Sequence, residues 1–320
     1  MTEANALPRY DELPPASGGG RSGWGIFTEP NLGAFGLQTA ERIVSAARLV
    51  RRGAMFALQA PMDVIEPAMF GRGTPRHTLI AYPGGSGFDD VIDNFYPQAS
   101  SQWDGLAHVG YQPGTFYCGA SPGDVQAGKL SMHHLAERGI AGRAVLLDAE
   151  RVLADRHAGY HPSTGSSITP EDLETCREAA GVIYQPGDIL LLNSGYLRWY
   201  RAQSDDDRAT FAQRGRLFHV GIEHTERMAE YLWNSRISAI VSDLPATETW
   251  PPDESKESAP FGFLHRMLLG QLGIFIGELW HLQDLADDCR ADGVYEVFLV
   301  SAPLNVANTV GSPANAIALK

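Results

Sequence analysis

The chain has 320 residues, a formal charge of −13, 44% hydrophobic and 20% charged residues, a composition ordinary for one large globular domain or two modest ones. The acidity and the lack of a basic stripe argue against nucleic acid or anionic membrane as partner, and no apolar run reaches the roughly 18 residues of a membrane span. Cys118, Cys176 and Cys289 are odd in number and far apart, which excludes a disulfide framework and fits a reducing compartment. The start, MTEANALPRYDELPP, has neither a basic nor an apolar leader region, so no signal peptide is expected and the cytoplasm is the default.

Residues 1–36 are rich in Pro and Gly and predict an extended arm, either disordered or draped over the body or a neighbouring subunit, with Trp24, Phe27 and Phe35 favouring docking. Apolar spacing predicts a helix over 37–52, stopped by Gly53. Strands are expected at 55–59 and 77–81. Gly84-Gly-Ser-Gly87 is Gly-rich but lacks the context of a nucleotide fingerprint. Ser131 caps a short helix ending at Gly139, with His133 and His134 expected to be exposed. Arg143–Asp148 and Asp188–Asn193 read as buried strands. Thr169-Pro-Glu-Asp opens a helix to about Gly181, with a cap, a first-turn proline and first-turn acids. A helix at 221–235, a strand at 237–243, a helix at 262–271, a strand near 274–277 and a helix at 280–291 follow. The last strand is expected at Tyr295–Ser301. Strands apolar throughout suggest sheets covered on both faces. With no repeat and no linker, residues 37–320 read as one α/β domain behind the arm.

The chemistry concentrates in Gln98-Ala-Ser-Ser-Gln102-Trp-Asp104-Gly-Leu-Ala-His108, which spaces four side chains able to ligate a metal or move a proton at intervals of 4, 2 and 4. A polar turn with a surface histidine would also read this way. His265 and Glu278 lie in the apolar run FGFLHRMLLGQLGIFIGELW. A carboxylate there needs a cation, a metal or hydrogen-bond donors; a helix cap or a pair with Arg266 would also satisfy it. Asp148 and Asp243 end apolar strands, where sites collect in α/β folds and where caps are also common. The hydrolase elbow, the P-loop and the His-Glu-x-x-His motif are absent from the sequence.

The blocks SQWDGLAHVGYQPGTFYCG, GRAVLLDAER, ITPEDLE, QPGDILLLNSGYL, HRMLLGQLGIFIGELWHL and DGVYEVFLVSAPLNVANTVGSPANAIAL resemble the Putative cyclase family, which includes bacterial kynurenine formamidases and isatin hydrolase. The resemblance runs from about Tyr10 to the C-terminus. It implies a compact domain with a mixed sheet, of swivelling β/β/α type, assembled as homo-oligomers (dimers or tetramers) with N-terminal segments exchanged. The family signature His-x-Gly-Thr-His-x-Asp-x-Pro-x-His falls on this chain with Gln98 and Gln102 at its first two histidines and Ser101 at its threonine. Asp104 and His108 keep their identities, and His265 and Glu278 match the family's late histidine and acid.

What the resemblance implies is a metal-dependent hydrolase of an amide, lactam or lactone in a small cyclic or aromatic molecule. Asp104, Glu278, Gln98 and Gln102 would hold the metal. His108 would act as general base on an activated water, and His265 would stabilise or protonate the leaving group. The glutamines remove two imidazoles, so an oxygen-rich set suits Mn or Mg; Zn through the histidines and acids, or no metal, also stay open. Trp103, Tyr111, Phe116 and Tyr117 would wall a ring-binding pocket, or pack in the core. The alternatives are a metal-free cyclase or lyase using the Asp104/His108 pair, or a small-molecule binder.

Overall fold

The computed structural model describes residues 7–255 and 259–320; residues 1–6 of the expected arm lie outside them. Its strands are β1 Met55–Ala57, β2 Arg76–Ala81, β3 Phe88–Asp93, β4 Gln102–Asp104, β5 Ile140–Asp148, β6 Ser167–Ile168, β7 Ile189–Asn193, β8 Gly221–Ile222, β9 Ala239–Ser242, β10 Phe275–Glu278, β11 Glu296–Ser301, β12 Gly311–Pro313 and β13 Ala316–Leu319. The α-helices are α1 Ala40–Ala47, α2 Pro122–Gln126, α3 His133–Arg138, α4 Ala149–Arg156, α5 Pro170–Ala180, α6 Tyr196–Arg201, α7 Asp205–Phe211, α8 Glu226–Asn234, α9 His265–Met267 and α10 Gln283–Asp292.

One mixed nine-stranded sheet in the order β1-β13-β11-β5-β7-β9-β10-β4-β12 organises the single α/β domain. Its parallel centre, β5-β7-β9-β10, consists of the apolar runs whose residues are buried along their length from Ala144 to Leu147, in β7 and in β9. Both faces are covered, as uninterrupted apolar strands require. The short polar strand β4 is a strand because β10 and β12 pair with it on either side; its own three residues carry no period that could announce it.

Helix starts follow side-chain capping. Thr169 accepts from the amide of Asp172 while the Asp172 carboxylate accepts from Thr169, a capping box, and Gly181 closes α5 at φ 66°. Thr225 caps α8, whose buried Trp233 donates to the Pro8 carbonyl at 2.9 Å and lies 6.0 Å from Phe27. The arm therefore docks on its own chain: Tyr10, Leu13, Phe27 and Phe35 are buried in the common core.

Several expectations are corrected. The helix over 37–52 spans only Ala40–Ala47, because Thr39 caps it late and residues Arg52 and Ala54 hydrogen-bond the carbonyl of Lys320 on the way into β1. The helix over 262–271 is one α-turn followed by a π-turn, Leu268–Leu272. Tyr295–Ser301 is not the last strand: β12 and β13 follow in a Pro- and Asn-rich stretch, and pair with β4, β1 and β11. His133 and His134 are half-buried rather than exposed. The glycine run at 84–87 is the tip of a β2–β3 hairpin, with Gly84 and Gly85 at φ 81° and 71°, a conformation glycine adopts without a Cβ penalty.

His219 makes the core pH-sensitive. It is fully buried, stacked 6.2 Å from Trp250 with Tyr196 edge-on at 5.5 Å, and its Nδ1 lies 2.9 Å from the Val220 carbonyl. Burial pushes its pKa down to about 4, against the opposing effect of that backbone bond. The folded chain keeps the ring neutral while the unfolded chain protonates it, so this stability is present above 6.5 and is lost as pH falls through about 4. The loss is about 3 kcal/mol. Denaturant unfolding near neutral pH and near the depressed pKa should show this difference in wild type and its disappearance in His219→Phe; an unchanged pH slope in the variant would refute it.

Candidate metal and acid–base site

The pairing of β4 with β10 builds the site. Gln102 stands directly opposite Glu278 and Asp104 opposite Ile276. With a period of two, Gln102, Asp104 and Glu278 share one face of the sheet and Trp103 takes the other. The Gln102 Nε2 donates to Glu278 Oε2 at 2.9 Å and to Asp104 Oδ2 at 3.3 Å. His265, at the start of α9, enters the same space: its Nε2 is 3.2 Å from Glu278 Oε1 and 4.0 Å from Asp104 Oδ2. His108 stands at the open side, 22% exposed, with Nε2 at 3.6 Å from Asp104 Oδ1. Gln102, Asp104, His265 and Glu278 are all buried.

Behind this group lies Glu248. Its carboxylate meets His265 Nδ1 at 2.7 Å and 2.9 Å, and the neighbouring Thr247 amide donates to Glu278 Oε1 at 2.8 Å. The segment comes this close because β8 offers Gly221: a Cβ there would sit 2.3 Å from the Glu248 carbonyl carbon. Arg72 completes the charges. Its guanidinium donates to the Gln98 carbonyl and lies 5.1 Å over the Phe70 ring. Burial lowers its pKa, and the carboxylates of Asp104 and Glu278 oppose that.

The electrostatics are those of a crowded acid pocket. Burial raises the pKa of Asp104, helped by Glu278 and opposed by His108, His265 and Arg72. For His265, burial alone lowers the pKa, but Glu248 and Glu278 outweigh it and hold the ring well above the ordinary imidazole value. Two buried acceptors, Asp104 Oδ1 and Gln102 Oε1, have no hydrogen-bond partner. One ligand atom from each of Asp104, His265 and Glu278 falls within a mutual 4.8 Å.

The residues present fit a divalent cation. Unpartnered buried oxygens beside paired carboxylates need positive charge. Glu248 on Nδ1 directs the Nε2 lone pair of His265 inward, the usual second partner of a ligating imidazole. Three protein donors leave room for further ligands, and the set is oxygen-rich.

Of the residues singled out in the sequence, Gln102, Asp104, His108, His265 and Glu278 meet here. His265 lies within the carboxylate pair, whereas His108 faces the opening. Gln98 contributes its carbonyl to Arg72, and its side chain covers Gly311 in the strand beside Asp104. Trp103 is buried between Phe35 at 5.6 Å and Trp280 at 4.8 Å, with its indole N–H on Ser301. Tyr117 is buried against Gly273, Tyr111 bonds the Ser17 carbonyl of the arm, and Phe116 packs half-buried on the core. The ring next to the site is instead Phe263, stacked on His265 at 4.6 Å and 9°. Asp243 is a cap, accepting from Ser194 and Leu197, and Asp148 pairs with Arg290. Glu278 has no link to Arg266, which lies over Phe263. Glu248, Arg72 and Phe263 were not legible beforehand, since the two charged residues sit in polar loop sequence that carries no period.

The sequence profile of the family described as Putative cyclase matches residues 56–249. No curated protein matches the chain. A crystal structure described as a novel cyclase is 33% identical, with a TM-score of 0.81 over 93% of this chain and 99% of its own. Isatin hydrolase A from Labrenzia aggregata, bound to benzyl benzoate, shares the fold at 17% identity and TM-score 0.60, over 87% of this chain and 97% of its own. Isatin hydrolase A from Ralstonia solanacearum does so at 16% and 0.59, over 88% and 98%.

Proposed function

The chain belongs to the Putative cyclase family, and from the cluster it builds we propose a metal-dependent hydrolase of an amide, lactam or lactone bond in a small cyclic or aromatic molecule. The carrying observation is the convergence of Asp104, Glu278 and the Glu248-directed Nε2 of His265 on one buried point beside an open-side histidine. The fold shared with isatin hydrolases supports hydrolysis as the reaction class.

Asp104, Glu278 and His265 would hold the cation, Mn²⁺ or Mg²⁺ being suited to the oxygens and Zn²⁺ to the imidazole. Bound there, it supplies Lewis-acid activation of the scissile carbonyl and of water. Gln102 holds the two carboxylates together through its amide N–H groups. His108 takes the proton from the attacking water and returns it to the leaving group, oriented by Asp104. Phe263, half-buried and stacked on His265, would border a substrate ring, and Arg72 balances the acidic pocket. Chelation should abolish turnover on a lactone and N-formyl arylamine panel, with Mn²⁺ or Zn²⁺ restoring it. Full activity in protein shown metal-free by elemental analysis would instead favour a metal-free cyclase or lyase, a reading supported by the contacts of His265 with Glu248 and Glu278.

We also propose a homo-oligomer joined through the β2–β3 hairpin. Both strands are exposed along their whole length, and a lone two-stranded hairpin is marginal in water. Leu79, Ile80, Phe88, Val91 and Ile92 are 57%, 48%, 61%, 37% and 48% exposed, with Tyr82, Phe95 and Tyr96 alongside. Strand alternation puts Leu79, Phe88 and Ile92 on one face of the hairpin and Ile80 and Val91 on the other, so it carries apolar surface on both sides, as an arm embraced by a partner would. Light scattering should give at least a dimer, and Leu79→Lys/Phe88→Lys a monomer with unchanged circular dichroism. A monomeric wild type, or a variant of unchanged mass, would overturn the proposal.

A further inference from the structure

A second group of metal-ligating side chains lies outside the catalytic cluster. His133, His134 and Glu137 on α3 bring one ligand atom each within a mutual 4.8 Å. Glu137 follows His133 by four positions and His134 by three, so the carboxylate shares a helix face with both. The rings are 4.0 Å apart between centroids, at 38°.

Two observations show these imidazoles prepared for ligation. His134 Nε2 lies 3.0 Å from the Gly128 carbonyl, and a carbonyl there can only accept, so this nitrogen carries the proton and Nδ1 keeps its lone pair. The Nδ1 of His133 is buried with no hydrogen-bond partner. Its ring is held beside Gly128, whose Cβ would meet both His133 Cε1 at 3.8 Å and Asn308 Oδ1 at 2.7 Å. An unpartnered buried nitrogen, a tautomer-setting carbonyl and an exposed carboxylate are the elements of a cation site.

We propose that His133, His134 and Glu137 form a second divalent-metal site, of Zn²⁺-type chemistry, distinct from the Asp104 cluster. Two imidazoles and one carboxylate suit a borderline cation and leave a coordination position for water. The six-residue α3 is too short to hold itself, and its N-cap Met132 has no side-chain cap but donates its amide to the Thr309 carbonyl. The cation would staple this helix across its single turn. Met132 lies under Gly105, where a Cβ would sit 2.9 Å from its sulfur, so the staple secures the floor of the loop joining Asp104 to His108.

The test uses chelator-stripped full-length protein titrated with Zn²⁺ alone against a chromophoric competitor at micromolar free metal. Wild type should take up one equivalent more than His134→Gln, which keeps a donor for the Gly128 carbonyl. The exposed-side variant Glu137→Gln should bind that equivalent at least tenfold more weakly, with an unchanged metal-free melting temperature. Zn²⁺ should raise the melting temperature of wild type by more than that of either variant. Either variant binding Zn²⁺ in the same amount and as tightly as wild type overturns the proposal. Asp104→Asn in the same titration counts the catalytic equivalent separately, so loss of one site is read independently of the other.

Discussion

His108→Ala should lower kcat by about 10²–10⁴-fold, the usual contribution of a positioned general base, while leaving fold and metal uptake intact. His108 is the cluster's half-buried member and its contact is the 3.6 Å approach to Asp104. Removing it opens little core, so melting temperature and circular dichroism should match wild type. KM should change by a few-fold at most, because the ring is assigned to the proton and not to holding substrate. The split is the informative part: a fall in kcat with metal content preserved places His108 at the reacting water. Wild-type kcat in this variant on a turned-over substrate would remove it from the mechanism. Loss of metal in parallel would make it a ligand instead.

Asp104→Asn should abolish metal uptake at the cluster and activity with it, and should stabilise the metal-free protein. The carboxylate is fully buried, with one oxygen unpartnered. Burial raises its pKa above the ordinary 3.8, so the folded chain binds a proton more readily than the unfolded one. Stability from this group is therefore present at acid pH and is lost as pH rises through the folded pKa. The asparagine cannot ionise, yet its amide oxygen can still accept from Gln102. Metal-free melting temperatures should thus favour the variant, by more at mildly alkaline than at acidic pH. Added Mn²⁺ or Zn²⁺ should raise wild type through the cluster and reverse the order, the trade between stability and function seen where charge is buried for chemistry. A variant less stable than wild type at every pH, with metal absent, would show that Asp104 is a structural acid.

The apolar runs RAVLLD and DILLLN announce strands because their environment is the same along their whole length, and Thr169-Pro-Glu-Asp announces a helix because its cap is local chemistry. The resemblance of the sequence blocks to the Putative cyclase family likewise brings Asp104, His108, His265 and Glu278 together. Other features were hidden for the same physical reason. β4 is three residues long and exists through pairing with β10 and β12. Glu248 reaches His265 only because Gly221 lets two backbones touch, and Arg72 only because the chain returns from the hairpin at Gln98. Trp103 was set beside the site by adjacency in sequence, yet strand alternation turns it into the core.

By itself, then, the sequence determined the buried parallel centre, the capped helices and the residue types of a metal and acid–base site, since these depend on hydrophobicity, capping and side-chain chemistry read within a few positions. The tertiary structure alone decided which atoms face one another: that Gln102 bridges the carboxylates, that Glu248 directs His265, and that the hairpin stands exposed. Each of these depends on register and close approach between segments distant in the chain, which a linear pattern does not encode.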